Sequence, residues 1–224
     1  MINYKMTDLE LIQVMTEETQ VLGKEGGTLD RLINEYNQER KKHDISLDKS
    51  YTKCYEITTK DKNKFLFICR KATWFDKHRG LETMNYDLVS VFDSPTGLMA
   101  CQIVSNQGVS LYTPTFFETY VHLTKLELPT PLDVVKRFFI HYDCMRSKPV
   151  SKLGKAYFIG SCKVGYVLGK VSDSNAILVN QTFVTGENVI ANSPLLLELA
   201  SDVEDIKSNS EYDYNVFSKR KKAA

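Results

Sequence analysis

The stretch LYTPTFFETYVHLTKLELPTPLDVVKRFFIHYD, residues 111–143, decides how this chain of 224 residues is read. A strand-like run, Val109 to Tyr112, meets Thr113-Pro114 and gives way to helical spacing, and Thr130-Pro131 starts a second helix. Threonine caps a helix because its hydroxyl accepts an orphan amide proton, and proline loses nothing at the first helical position, where its missing donor would be unpaired. The first helix carries Phe116, Phe117, Tyr120, Leu123 and Leu126. The second carries Leu132, Val134, Val135, Phe138, Phe139 and Tyr142 at spacings of three and four, with Lys136, Arg137 and His141 off that face. Strand-like sequence lies on both sides, so the pair is predicted to cover a sheet.

Working outward toward the N-terminus, Asp87 to Phe92 and Leu98 to Ser105 flank Ser94-Pro95-Thr96-Gly97, a turn with proline second and glycine fourth. Cys54 to Thr59 and Phe65 to Trp74 flank the polar turn Lys60 to Asn63. In the second of these strands both faces are apolar at first and one becomes basic at Arg70, as in a central strand leaving the core. Five successive strands with tight turns predict an antiparallel meander. Ahead of it, Thr7 and Glu10 form a capping box for a helix from Asp8 to Leu22, and Thr28 opens another after Gly23, Gly26 and Gly27. Residues 1–45 therefore read as a helical hairpin extension. Its apolar residues, Leu9, Ile12, Leu29, Leu32, Ile33 and Tyr36, either pack on the body or pair with a second copy or another protein.

Working outward in the other direction, Arg146 to Leu153 reads as a basic, proline-containing connection, followed by strands Ala156 to Cys162, Gly165 to Val171 and Ala176 to Thr185. Ser193-Pro194 starts a last helix to Ile206, and residues 207–224 form a polar basic tail. The predicted fold is α+β: an N-terminal αα-hairpin, a core over residues 50–206 with a largely antiparallel sheet of five to eight strands under two central helices, and a C-terminal helix.

Composition narrows the function classes. Basic and acidic residues balance at 29 and 28, so no global field drives nucleic-acid or membrane binding and any such role must be local. The five cysteines are scattered with no C-x-x-C pair, which fits reduced thiols of a cytoplasmic protein. No window approaches the roughly 18 apolar residues of a membrane helix. Walker, G-x-G-x-x-G, H-E-x-x-H, G-x-S-x-G and zinc-ligand spacings are all absent, so no cofactor or metal is expected.

The stretch from Arg70 to Arg79 reads as a loop that interleaves Arg70, Lys71, Lys77, His78 and Arg79 with Trp74 and Phe75. Cations that neutralise phosphates beside rings that stack on unpaired bases suit single-stranded RNA. His122 and His141 lie on the helical pair, and with Arg137 beside one of them a histidine could move protons in attack on a phosphate. Asn180 and Thr182 alternate with Gln181 and Phe183 along a late strand, which puts the first two on one face.

A strand, a Thr-Pro helix start, a second helix and late strands ending in Asn180, Gln181, Thr182 and Phe183 resemble the small metal-independent ribonuclease folds, barnase-like, colicin-like and toxin-type. The resemblance is one of topology over residues 50–206. It implies acid–base cleavage of RNA, with His122, His141, Arg137 and the Thr182 hydroxyl as the catalytic candidates. Thr115 and Thr119 stand where a histidine or arginine would begin the first helix, so the implied site is a weakened one. Two functions follow as expectations: an intracellular interaction protein that binds RNA without catalysis, and a toxin-type ribonuclease. His78 and Arg79 belong to both.

Overall fold

Alternation of apolar side chains sets the sheet and helical spacing sets its cover. In the computed structural model, which describes residues 1–42, 51–71, 84–104, 108–141, 146–152, 155–162, 165–174 and 176–185, the meander forms as five antiparallel strands. These are β1 (Thr52–Thr58), β2 (Lys64–Lys71), β3 (Met84–Ser94), β4 (Gly97–Val104) and β5 (Gly108–Tyr112). Gly97 holds the β3–β4 turn at φ +134°, a conformation that side chains with a Cβ rarely adopt. After β5 come α3 (Pro114–Thr124) and α4 (Pro131–Ile140), then a second antiparallel meander. Its strands are β6 (Arg146–Lys152), β7 (Lys155–Cys162), β8 (Gly165–Val171) and β9 (Ile177–Val184). The two meanders join where β9 lies parallel to β5, giving one nine-stranded sheet in the order β1-β2-β3-β4-β5-β9-β8-β7-β6.

The fold is α+β as expected, with one strand more than the predicted range. The extra strand is β6, whose proline and basic residues read as a connection. It pairs with β7 from Arg146 opposite Ser161 to Lys152 opposite Lys155, and it is the outermost strand, where Pro149 is tolerated because one side of the ladder is unpaired.

Both Thr-Pro starts hold. Thr113 Oγ1 accepts the Phe116 amide at 3.3 Å, and Thr130 Oγ1 accepts that of Asp133 at 3.2 Å. The helices set five rings over one face of the sheet, against Tyr112 of β5 and Phe183 of β9, several edge to face: Tyr112 and Phe139 at 5.0 Å, Phe116 and Phe138 at 5.0 Å, Tyr120 and Phe183 at 5.1 Å. Gly165 gives the Phe183 ring its place, since a methyl there would lie 2.5 Å from Phe183 Cζ.

The N-terminal hairpin, α1 (Asp8–Leu22) and α2 (Thr28–Lys42), covers the opposite face. Thr7 and Glu10 make the expected capping box. Leu29 and Tyr36 are buried, and Ile12, Leu32 and Ile33 pack against the same cluster as Phe65, Phe67 and Cys69 of β2. Of the six residues offered for self-association, Leu9 alone stays largely in solvent, 71% exposed, so the hairpin is a layer of the fold. Polar groups fix its seat: Glu18 accepts from Thr59 at 3.0 Å and from Asn63, and the Tyr36 hydroxyl donates to the Tyr51 carbonyl at 2.7 Å. No described helix is long and apolar enough to cross a membrane. The predicted C-terminal helix and tail lie outside the described residues.

Candidate functional site

β2 carries the predicted basic loop. Its last pairs are Arg70 opposite Asn85 and Lys71 opposite Met84 on β3, so the stem of segment 72–83 is a paired ladder. Trp74, Lys77, His78 and Arg79 lie outside the described residues. Arg70 does not stand free as a binding cation. Its guanidinium pairs with Asp87 and donates to the carbonyl of Phe139, in the last turn of α4. A cation there opposes the negative end of the helix dipole. Gln102 Nε2 donates to the second Asp87 oxygen at 2.7 Å, which fixes the carboxylate from the other side. Sequence placed Arg70 as the first residue of a binding surface because it follows an apolar run; the partners that claim it, Asp87 and Phe139, are 17 and 69 residues away.

The row continues along the sheet to Ser110 and Asn180. Asn180 Nδ2 donates to Ser110 Oγ at 2.7 Å and to the Leu111 carbonyl at 3.1 Å. Its own carbonyl accepts the Thr113 amide at 3.1 Å, so Asn180 ties β9 to the exit of β5 and to the cap of α3. Gln102 Oε1 and Asn180 Oδ1 are buried without hydrogen-bond partners, which makes this row under-satisfied within an otherwise apolar layer.

The four catalytic candidates do not converge. His122, exposed on α3, lines a groove of about 600 Å³ with Phe117, Val121, Leu128 and Pro129, near the start of α4. His141 is the C-cap of α4. The groove of His122 is lined from the start of α4, by Thr130, Pro131 and Val134, whereas His141 stands past the other end of that helix. Proton transfer needs contact at about 3 Å or through one water. Among the described residues, no lysine or arginine lines the groove around His122 to hold a phosphate. Arg137 is exposed one turn before His141, and these two are the neighbours within the quartet.

Thr182 falls on the other side of the sheet. β8 and β9 pair with a β-bulge: Leu168 is opposite Thr182, while Gly169 is opposite Asn180, so Gln181 is the extra residue. One inserted residue inverts the alternation beyond it. Asn180 and Phe183 therefore share the face under α3 and α4, and Thr182 turns to the opposite face. The expectation that Asn180 and Thr182 share a face is corrected by this bulge, which no local residue pattern announces. Thr119, read as a substitute for a catalytic residue, has a structural role. Its hydroxyl accepts the Phe183 amide at 3.0 Å and donates to the Phe116 carbonyl at 2.9 Å, closing the edge of β9 beyond the end of β5.

Thiol chemistry is also disfavoured among the described residues. Burial pushes the Cys69 thiol up to about 12 and the Cys54 thiol up to about 11, and raises that of Cys101 as well. All three are free, and the thiolate is the reactive form. Compared with protein-family models, with curated proteins and with solved structures, the chain matches none of them.

Proposed function

We propose that the chain is a non-catalytic binding protein whose ligand is single-stranded RNA, held by the basic and aromatic side chains of segment 71–79. The observation that carries this reading is the braced root of that segment. β2 and β3 are paired up to Lys71 and Met84, and Arg70 is fixed between Asp87 and the end of α4. Binding segments work when a rigid scaffold delivers them, because less order has to be created on contact. Four cations or titratable groups, Lys71, Lys77, His78 and Arg79, together with Trp74 and Phe75, then supply phosphate neutralisation and stacking. The separation of His122, His141 and Thr182 supports binding over cleavage.

The test is binding and cleavage of a mixed single-stranded RNA pool by wild type and by Trp74→Ala/Arg79→Ala, with chelator present and at two salt concentrations. Salt-sensitive binding that the double variant loses, with the RNA left intact, is the expected result. Metal-independent cleavage would replace the reading with the ribonuclease one. Wild type that leaves the RNA unbound would overturn it.

A further inference from the structure

The end of the sheet away from segment 71–79 carries a trench in two lobes. One is the groove of about 600 Å³ around His122, and the other, of about 500 Å³, lies beside it. Gly97, Leu98, Thr130 and Pro131 line both, so the lobes run into each other between the β3–β4 turn and the start of α4. The wall of the first lobe is one face of α3: Pro114, Phe117, Glu118, Val121 and His122 recur at the spacings of three and four that stack side chains in a stripe. The second lobe takes Val91, Phe92 and Asp93 from the end of β3, Lys62 from the β1–β2 turn and Lys64 from the first position of β2.

Floor and rim differ in kind. Phe117, Val134, Val91 and Phe92 are buried, whereas Glu118, His122, Asp93, Lys62 and Lys64 are exposed. An apolar floor rimmed by polar side chains marks a binding groove. The rim charges are also unpaired: among the described residues Glu118, Asp93, Lys62 and Lys64 enter no ion pair and no side-chain hydrogen bond. Their placement is uneven. Glu118 is the single formal charge among the described residues of the first lobe, and two lysines stand against Asp93 in the second. The trench is therefore negative at its α3 end and positive at its β1–β2 end.

We infer that this trench receives an extended segment of a partner protein, apolar along its middle, with a basic side chain at the Glu118 end and an acidic one at the Lys62 and Lys64 end. Shape selects a peptide over a lipid tail. Both lobes are open to solvent, so an alkyl chain laid in them would keep much of its surface in water. An extended peptide sends alternate side chains to opposite sides, apolar ones down to the floor and polar ones up to solvent. Pro114 to His122 spans eight steps of helix, about 12 Å, which about four residues of extended chain match at about 3.3 Å each. The second lobe is of similar volume, so about seven or eight residues fill both. This site and the one proposed for RNA are separate, since Lys64 opens β2 and Lys71 closes it, about 23 Å further along the strand.

Random dodecapeptides displayed on phage and selected on the immobilised full chain supply the probes, and fluorescein-labelled copies of the enriched sequences are titrated by anisotropy. Enriched peptides are expected to carry a basic and an acidic residue on either side of alternating apolar ones. Glu118→Lys should weaken their binding about fivefold at about 50 mM salt, and Lys62→Glu/Lys64→Glu likewise, with smaller losses at about 500 mM because exposed charges are screened. Glu118→Asp and Lys62→Arg/Lys64→Arg keep the charges and should bind like wild type. All three positions are exposed, so the swaps act on charge and not on fold. No enrichment over the bare support, or affinities that both swaps leave within about twofold of wild type, overturns the inference. Peptide binding that Trp74→Ala/Arg79→Ala abolishes would place the site on segment 71–79 and overturn it as well. Sedimentation of the wild type as a dimer that Glu118→Lys dissociates would assign the trench to a second copy of this chain and overturn the partner named here.

Discussion

The two meanders of the sheet are built from the same pairing rule and differ in what lies on them. β2, near one edge, is covered on both sides: Leu66 and Ile68 meet the aromatic layer of α3 and α4, while Phe65, Phe67 and Cys69 meet α1 and α2. On β8, Val167 enters the aromatic core, but on the other face Lys170 is exposed and no described helix lies over it. A strand buried on both faces reads as a continuous apolar run, and one buried on a single face alternates. β2 is thus buried on both faces, whereas the second face of β8 is buried at Tyr166 and open at Lys170.

The sharpest way to break that comparison is to open a cavity in the doubly covered half. Phe67→Ala should cost about 3–5 kcal/mol in urea denaturation, because the ring is fully buried and the site is walled by Tyr55 and Tyr86. A cost near 1 kcal/mol would mean that α1 and α2 collapse readily onto the gap and are not a tight layer.

Alkaline pH should act on the same half. Burial raises the Cys69 thiol to about 12 and the Cys54 thiol to about 11, against an ordinary 9.0, and the Tyr36 phenol to about 12 from 10.0. The folded state prefers the neutral forms, so their contribution is complete below about pH 9 and is lost as pH rises through 11 to 12. Urea midpoints should fall between neutral pH and about pH 10.5, and Cys54→Ala/Cys69→Ala should shrink that fall. An unchanged fall in the double variant would assign it to other groups.

Arg70→Ala is expected to cost about 2–3 kcal/mol, since it leaves the Asp87 carboxylate and the end of α4 without their partner. Arg70→Lys should recover part of the loss, because one ammonium cannot reproduce a forked contact to two acceptors. Thr119→Val should cost about 1–2 kcal/mol by stranding the Phe183 amide, with the helix otherwise intact by circular dichroism. At the bottom of the scale, Lys170→Gln should change stability by less than about 0.5 kcal/mol. A gain well above that would mean that the charge of Lys170 weakens the fold substantially.

What the residues announced and what they hid follows from the range of the interactions involved. Thr113-Pro114, Thr130-Pro131, the Thr7–Glu10 box and the Ser94–Gly97 turn are local devices, and each was legible because cap and helix lie within four residues. The apolar stripe from Leu29 to Tyr36 was equally legible, but a stripe states that a face will be buried without naming the surface that buries it. β6 was hidden because Pro149 and its lysines are what an edge strand and a loop have in common. Arg70 was misread because its partners arrive from β3 and α4. The position of Thr182 depended on the bulge at Gln181, a property of pairing with β8 that β9 does not encode alone.

The parallel seam between β5 and β9 has a consequence for how the protein is made. Val109 cannot meet Ile177 until α3, α4 and three further strands have left the ribosome, whereas β1–β5 pair in sequence order. Throughout that interval β5 presents a bare edge in what will become the middle of the sheet. A β9 from a neighbouring chain, displayed beside an identical bare edge on a crowded polysome, is a chemically perfect substitute for the one still to come. Asn180, through its bonds to Ser110 and Leu111, is the latch that closes that edge once β9 has emerged.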